Sequence, residues 1–250
     1  MKKIKLINLV KEKYNLTEKE AFGYILSANV LVDEKIITKA GVLIDASQNI
    51  RIKSKSRFVS RGAYKLLHAV DRFSVNINDK VCVDCGSSTG GFTQVLLEKG
   101  AKKVYAVDCG GNLLHYSLRN DKRVVVMENH KVNELKIDDF NDKIDLAVMD
   151  ISFSSAVQLI EHLFKKLNIN NALVLIKPQF EFKRLKEKLL LPDDFNGVIK
   201  DEVIRKKIID CIIGEINDKG LMIVDISPSS IRGTKGNLEY FFNIRGKSES

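Results

Sequence analysis

The chain has 250 residues, 44% of them hydrophobic and 29% charged, with a formal net charge of +9. A chain of that size and composition buries a real core, holding one large domain or a medium and a small one. Its longest apolar runs, such as Ala172-Leu173-Val174-Leu175-Ile176, fall far short of a membrane span.

Positive charge is concentrated at the start. Residues 1–60 carry twelve Lys and Arg against six Asp and Glu, whereas the other 190 carry 29 against 26. That bias suits a polyanionic partner docking on the first quarter, with general lysine richness as the bland alternative. Lys5–Lys13 reads as a short helix with Leu6, Leu9 and Val10 on one face. Thr17-Glu18-Lys19-Glu20 has the spacing of a capping box and opens a second helix through Ser27 carrying Ala21, Ile25 and Leu26. Short strands come next at Val30–Val32, Lys35–Ile37 and Asn49–Ile52, with a turn at Asp33-Glu34. Residues 1–57 thus form a small basic α+β domain with its linker, and 58–250 a second domain. Lys5, Lys11, Lys13, Lys53, Lys55, Arg57 and the nearby Arg61 are the candidate RNA-binding residues.

Beyond the linker the pattern becomes β/α alternation. Seven strands are read at Lys80–Asp84, Lys103–Asp108, Val124–Met127, Ile144–Asp150, Ala172–Lys177, Leu221–Ile226 and Glu239–Ile244. Helices fit between them, for example Ser154–Leu167 and Glu202–Lys219, the latter with Val203, Ile204, Ile208, Ile212 and Ile216 at helical spacing. Such alternation predicts an α/β fold with a Rossmann-like, mostly parallel sheet covered on both faces. No helix-length segment separates the last two strands, so the seventh returns antiparallel. Glu187–Lys200, with Pro192, Asp193-Asp194 and Gly197 and no clear period, reads as a mobile loop at the substrate mouth.

The run Val81-Cys82-Val83-Asp84-Cys85-Gly86-Ser87-Ser88-Thr89-Gly90-Gly91-Phe92-Thr93 ends a strand with an acid and turns on glycines, and the next strand ends in Asp108. This is the layout of a nucleoside-binding α/β unit. A dinucleotide fold uses G-x-G-x-x-G, so that a pyrophosphate sits on the helix N-terminus. Here no second glycine stands two residues after Gly86. The pattern Asp-x-Gly-x-x-x-Gly-Gly instead resembles the loop of S-adenosylmethionine-dependent methyltransferases, whose cofactor has no phosphate. Asp84, Gly86, Ser88, Gly90, Gly91 and Phe92 are therefore candidate cofactor residues, with Asp108 accepting from the ribose hydroxyls and Asp150 at a neighbouring strand end. The bland alternative is an ordinary strand–turn–helix.

Three further segments place chemistry at strand ends. Asp150 ends the strand Ile144–Asp150, Lys177 ends Ala172–Lys177, and Glu239 starts the last strand. The carboxyl edge of an open α/β sheet is where ligands bind, and an antiparallel last strand brings its start to that edge. Cys82, Cys85, Cys109 and Cys211 are read as packing residues, since Cys82-x-x-Cys85 has no second pair to complete a metal site. The four histidines show no ligand spacing, so no metal is expected. The basic N-terminus lacks an apolar stretch and a cleavage site, which points to the cytoplasm.

The second domain resembles the FtsJ-like ribose 2′-O-methyltransferases, whose signature is a Lys-Asp-Lys-Glu tetrad matched by Lys65, Asp150, Lys177 and Glu239. End to end, the chain resembles the TlyA, or haemolysin A, family, in which a ribosomal-protein-type RNA-binding domain precedes an FtsJ-like domain. Ser60-Arg61-Gly62-x-x-Lys65-Leu66, the glycine loop and Ile176-Lys177-Pro178-Gln179-Phe180 carry the resemblance. Two departures stand out: no glycine-rich run comes after Phe180, and Lys5-Leu6-Ile7 replaces the usual Arg-Leu-Asp. The resemblance implies S-adenosylmethionine-dependent methylation of a ribose 2′-hydroxyl, typically of a cytidine, in ribosomal RNA.

Methyl transfer is an in-line displacement, so the protein supplies positioning and a base. A lysine accepts a proton only in its neutral form, which burial and neighbouring positive charge favour. Lys177 is the expected base, Asp150 and Glu239 orient it and the hydroxyl, and Lys65 steadies the developing alkoxide or a phosphate. The alternatives from other classes are a membrane-lytic protein, and a ribosome-binding protein whose fold no longer catalyses.

Overall fold

The computed structural model describes residues 3–52, 57–152 and 155–246. The chain divides into two units, Met1–Arg57 and Phe58–Ser250.

In the first unit, β1 (Lys3–Lys5) runs directly into α1 (Leu6–Tyr14), which buries Leu6 and Val10 one turn apart. Asn15 ends that helix in the left-handed region, and Thr17 starts α2 (Glu18–Leu26). The Thr17 hydroxyl accepts from the Glu20 N–H at 3.3 Å, and the Glu20 carboxylate accepts from the Thr17 N–H at 2.9 Å. This is the reciprocal cap that the spacing predicts. Ala21 and Ile25 enter the core, but Leu26, next to Ile25 and so rotated about 100° around the helix, is exposed.

β2 (Val30–Val32) pairs antiparallel with β3 (Lys35–Ile36) and with β5 (Ile50–Ile52). The hairpin between β2 and β3 turns at Asp33 and Glu34, both at positive φ, as a two-residue turn matched to strand twist requires. β4 (Leu43–Asp45) pairs with β1. Neither of these two strands is read from the sequence, where Lys5 reads as the start of a helix.

The second unit begins with α3 (Gly62–Arg72) and continues through β6 (Val81–Cys85), α4 (Gly91–Glu98), β7 (Lys103–Asp108), α5 (Tyr116–Arg119) and β8 (Val124–Glu128). It then runs through β9 (Leu146–Met149), α6 (Ala156–Lys165), β10 (Asn171–Ile176), α7 (Pro178–Leu189), α8 (Glu202–Asp218), β11 (Leu221–Pro228) and β12 (Tyr240–Gly246). The sheet has the order β11-β12-β10-β9-β6-β7-β8. β10, β9, β6, β7 and β8 are mutually parallel, and β12 is antiparallel to both its neighbours. All seven strands and the reversed direction of the last agree with the alternation read from the sequence.

Both faces of the sheet are apolar, as helices on both sides demand. Val81, Val83 and Cys85 of β6 point into a core with α6, α7 and α8, whereas Cys82 points into a second core with Leu66 of α3 and Leu96 of α4. The period of two therefore sends Asp84 to the α3/α4 face. On α8, Ile208, Ile212 and Ile216 are buried, while Val203 in its first turn is exposed.

The segment read as a mobile loop is helical at its start and has no regular secondary structure over 191–200. Its first residues belong to the last turn of α7, and the residues beyond that turn are pinned at several points. The Asn237 side chain accepts from Ile199 N–H at 3.0 Å and donates to Gly197 O at 2.9 Å, and Phe195 stacks on Phe182 with centroids 4.0 Å apart. All of these partners are distant in sequence, so the local composition carries no sign of them.

The cap of α2 is open to a direct test. Thr17→Ala should destabilise the first unit by about 1 kcal/mol, with Thr17→Ser close to wild type. Urea unfolding monitored at the α2 amide signals measures this, and equal midpoints for alanine and wild type would show that the cap contributes nothing.

Candidate active site

At the end of β6 the chain turns back under the tip of β7. The N–H groups of Gly86 and Ser87 both donate to Val107 O at 2.9 Å, and the Ser88 N–H donates to the Asp108 carboxylate at 2.8 Å. Gly86 has φ +84°, and a Cβ there would lie 2.7 Å from the Asp150 carbonyl oxygen. Only glycine meets both constraints.

Two cavities meet over this loop. One, of about 490 Å³, is lined by Arg61, Lys65, Gly91, Phe92, Lys177, Phe180, Arg232, Lys235 and Glu239 among others. The second, of about 430 Å³, is lined by Asp108, Cys109, Leu113, His130, Val132 and Ile151 among others. Gly86, Ser88, Asp150 and Ser152 line both. The first is rich in cations and the second is mainly apolar.

Lys65, Asp150, Lys177 and Glu239 converge on the first cavity as two ion pairs. Lys177 Nζ lies 2.5 Å from Asp150 Oδ1, a charge contact rather than an aligned hydrogen bond, and donates to Ser152 Oγ at 2.9 Å. Lys65 Nζ donates to Glu239 Oε2 at 2.6 Å. The side chains of Lys177 and Glu239 are only 9% and 3% exposed, so these pairs are held out of bulk water. The expectation that Glu239 orients Lys177 is therefore corrected: Glu239 is bonded to Lys65 and to Gln179, and Lys177 is held by Asp150 and Ser152. The cause is register, since β12 delivers Glu239 on the side facing α3.

Of the remaining cofactor candidates, Asp108 lines the second cavity, and each of its oxygens already accepts one loop N–H, from Ser88 and from Gly110, both at 2.8 Å. A carboxylate oxygen has a second lone pair, so capacity for hydroxyl donors remains. Asp84 and Gly90 line neither cavity. Asp84 is fully buried beneath the loop, where its Oδ2 accepts from the Thr93 hydroxyl at 2.7 Å. Burial pushes its pKa up to about 7, against the lowering effect of the Thr93 hydrogen bonds. Asp84 Oδ1 and Ser87 Oγ are buried with no hydrogen-bond partner among the described residues. Ser87 also lines the first cavity, and its unmet hydroxyl fits a ligand with amino and carboxylate groups.

A family model described as FtsJ-like methyltransferase matches residues 58–245. The chain belongs to that family. It is 39% identical over 233 residues to hemolysin A of Brachyspira hyodysenteriae, covering 92% of this chain and 94% of that protein. It is 32% identical over 244 residues to the 16S/23S rRNA (cytidine-2′-O)-methyltransferase TlyA of Mycobacterium tuberculosis, covering 96% and 89%. A solved structure from Streptococcus thermophilus, provisionally described as a hemolysin, superimposes with a TM-score of 0.71 at 30% identity, over 99% of this chain and 90% of that one. This FtsJ-like chain is thus of the hemolysin A and TlyA kind along its whole length.

The RNA-binding candidates are more dispersed. Arg61 lines the cation-rich cavity. In the first unit Lys5 is exposed, but Lys11 pairs with Glu18 at 3.1 Å and Lys13 donates to Ile50 O at 2.7 Å. Arg57 is exposed, and Lys53 and Lys55 lie outside the described residues. Cys82 and Cys85 are buried as expected of packing residues, burial pushing the Cys82 thiol up to about 12. Cys109 departs from that reading: it is exposed at the rim of the second cavity, because it comes directly after the acid that ends β7.

Sequence reasoning missed several residues. Gln179 stood inside a quoted motif without an assigned part, Ser152 lies two residues after Asp150, and Arg232 and Lys235 precede Glu239 in a basic turn. Glu128, at the end of β8, was also missed. Its carboxylate accepts from Arg119 and from the N–H groups of Asn112, Leu113 and Leu114, all within 3.1 Å. It thereby shapes the loop that carries Leu113 over the second cavity.

The Arg119 guanidinium, with these N–H groups behind it, holds the Glu128 carboxyl down at about 2 from an ordinary 4.5. A depressed acid stabilises the fold above its ordinary pKa, and that contribution is lost as pH falls through the depressed value. The 112–114 amide resonances should therefore keep their native shifts at pH 4 and lose them only toward pH 2. In Glu128→Ala they should be displaced already at neutral pH. Loss of the wild-type shifts near pH 4.5 would remove this anchor.

Proposed function

We propose that this enzyme transfers the methyl group of S-adenosylmethionine to a ribose 2′-hydroxyl of ribosomal RNA, and that Lys65, Asp150, Lys177 and Glu239 form its reacting set. The observation that carries the reading is the pair of buried lysine–carboxylate contacts beside the wall shared by a cation-rich cavity and an apolar one. The substrate class is that named for TlyA of Mycobacterium tuberculosis, including its cytidine, and in this reading the enzyme works in the cytoplasm.

S-adenosylmethionine, when bound, supplies an electrophilic sulfonium methyl. Asp108, Leu113, His130, Val132 and Ile151 line the second cavity and would hold the adenosine, with Asp108 placed to accept from its ribose hydroxyls. Gly86, Ser88, Gly90, Gly91 and Phe92 shape the loop between the cavities, and Asp84 supports it from below. Arg61, Arg232 and Lys235 draw an RNA strand into the other cavity and neutralise phosphates there. The two cavities adjoin at Gly86, Ser88, Asp150 and Ser152, so a ribose oxygen in one would reach a methyl group presented from the other on the side opposite its sulfur, as in-line displacement requires. Lys177 takes the proton of the 2′-hydroxyl after giving up its own to solvent, while Asp150 and Ser152 hold its Nζ in place. Lys65, held by Glu239, stabilises the charge that grows on the ribose oxygen. For the membrane-lytic alternative, no helix among the described residues is long and apolar enough to cross a bilayer.

Lys177→Ala should abolish methyl transfer to ribosomal subunits while leaving cofactor binding intact. Lys177→Arg should be nearly as inactive, because a guanidinium stays protonated. Transfer of labelled methyl groups measures both, and robust turnover by the arginine variant would assign the base elsewhere.

The first unit acts as the RNA anchor in this reading. Removing residues 1–57 should cost most of the affinity for ribosomal RNA and flatten its salt dependence, since each phosphate contact adds about 0.7–0.9 to the log–log slope. Cofactor affinity, measured by calorimetry on the same truncated protein, should be unchanged. A salt titration that leaves slope and affinity where they were would refute the anchor.

A further inference from the structure

Glu239 sits in a more completely built environment than its three partners. Its side chain is 3% exposed, and each of its oxygens has one donor from a different helix: Lys65 on α3 reaches Oε2 at 2.6 Å, and Gln179 on α7 reaches Oε1 at 2.9 Å. The third side is closed by backbone. A Cβ on Gly233 would overlap the carboxylate itself, and the Gly233 N–H is tied to Asn237 O at 2.9 Å.

We propose that Gln179 is a positioning residue for methyl transfer, whose side-chain amide holds Glu239 so that its other oxygen presents Lys65 to the substrate. The inference rests on the reading of Lys65 and Glu239 as members of the reacting set. Gln179 is 92% buried by its 8% exposure, yet its Oε1 has no hydrogen-bond partner among the described residues. The asymmetry has a physical cause. Turning the amide over would satisfy nothing and would set its oxygen against a carboxylate oxygen. The charge on Glu239 therefore aligns the NH₂ group even though the amide oxygen goes without a partner, which is costly in a buried place. A residue kept for volume alone would be better served by an apolar side chain.

Placement supports the same conclusion. Gln179 lies two residues after Lys177, in the first turn of α7 behind Pro178. The strand end that carries the base and the helix turn that holds Glu239 are thus one continuous piece of backbone. Gln179 itself does not line the cavity, so it acts through Glu239 and not on the RNA.

The test uses full-length protein, labelled S-adenosylmethionine and ribosomal subunits, with initial rates measured across the neutral pH range. Gln179→Met keeps the volume and removes the donor. Its kcat should fall about 10- to 100-fold, as expected for a small misplacement of a reacting group, with cofactor affinity and unfolding temperature close to wild type. Gln179→Glu brings in a carboxyl that donates to Glu239 when protonated and repels it when ionised. Lys65 on α3, Lys177 at the end of β10, Asp150 at the end of β9, and Arg232, Lys235 and Arg61 around the cavity all act on that ionisation. Its activity should approach wild type at the acid end and fall as pH rises, a limb absent from the wild-type profile.

A purely structural role would instead lower both variants in proportion to their unfolded fraction, with an unaltered pH profile. That result, or a kcat within twofold of wild type for Gln179→Met, overturns the proposal. Glu239→Gln is the control: if wild type is active and this variant retains its rate, the reacting-set reading fails, independently of Gln179.

Discussion

The site depends on the direction of one strand. β12 runs antiparallel between β10 and β11, with Tyr240 opposite Ile176, so the residues one step outward, Glu239 and Lys177, emerge at the same edge. The parallel strands bring Asp150 there as well, its N–H bonded to Cys85 O at 3.0 Å. A parallel β12 would carry Glu239 to the opposite edge, roughly 20 Å away at about 3.3 Å per residue. The convergence of four charged groups from α3, β9, β10 and β12 is a consequence of sheet topology, with loops adding only the last placement.

Burial then decides how those groups must be arranged. An uncompensated charge in such a place costs about 3–5 kcal/mol, and the site avoids that cost by pairing each lysine with one carboxylate. Asp84 shows the contrast a few residues away. It is equally buried, has a hydroxyl and not a cation as its partner, and burial lifts its pKa to about 7. Glu239 has the Lys65 ammonium at 2.6 Å and an amide on its other oxygen. The same physical chemistry thus produces a near-neutral support beneath the glycine loop and a set of paired charges beside the cavity.

Much of this was legible in the sequence, for identifiable reasons. The seven strands, the reversal of the last and the cap at Thr17 are written in local patterns: apolar runs, a missing crossover segment and a four-residue motif. Asp150, Lys177 and Glu239 were legible because strand-end position is itself a sequence property, whereas Lys65, on α3, was reached only through the motif that begins at Ser60. Their partnership was not. That Glu239 bonds Lys65 across 174 residues, and that Gln179 completes it, depends on side-chain directions fixed by packing. The strand β1 was missed because it runs directly into α1, and β4 because its partner is β1, 38 residues or more away. The contacts that hold the loop after α7 were not legible because its anchors, Asn237 and Phe182, lie outside it.

That last discrepancy bears on how the cation-rich cavity meets its ligand. Asn237 bonds the 197–199 backbone through its side chain and Gly233 through its carbonyl oxygen. Gly233 in turn abuts the Glu239 carboxylate, and Arg232 and Lys235 lie on either side of it in the cavity wall. One buried asparagine therefore couples the 190–200 segment, the basic rim and a member of the charged set. Ordering a loop when a ligand arrives would subtract from affinity, whereas order established in folding does not. A rim built this way also holds its cations at fixed positions relative to Lys65 and Lys177. The distances that matter to chemistry are then set by the same contacts that shape the entrance.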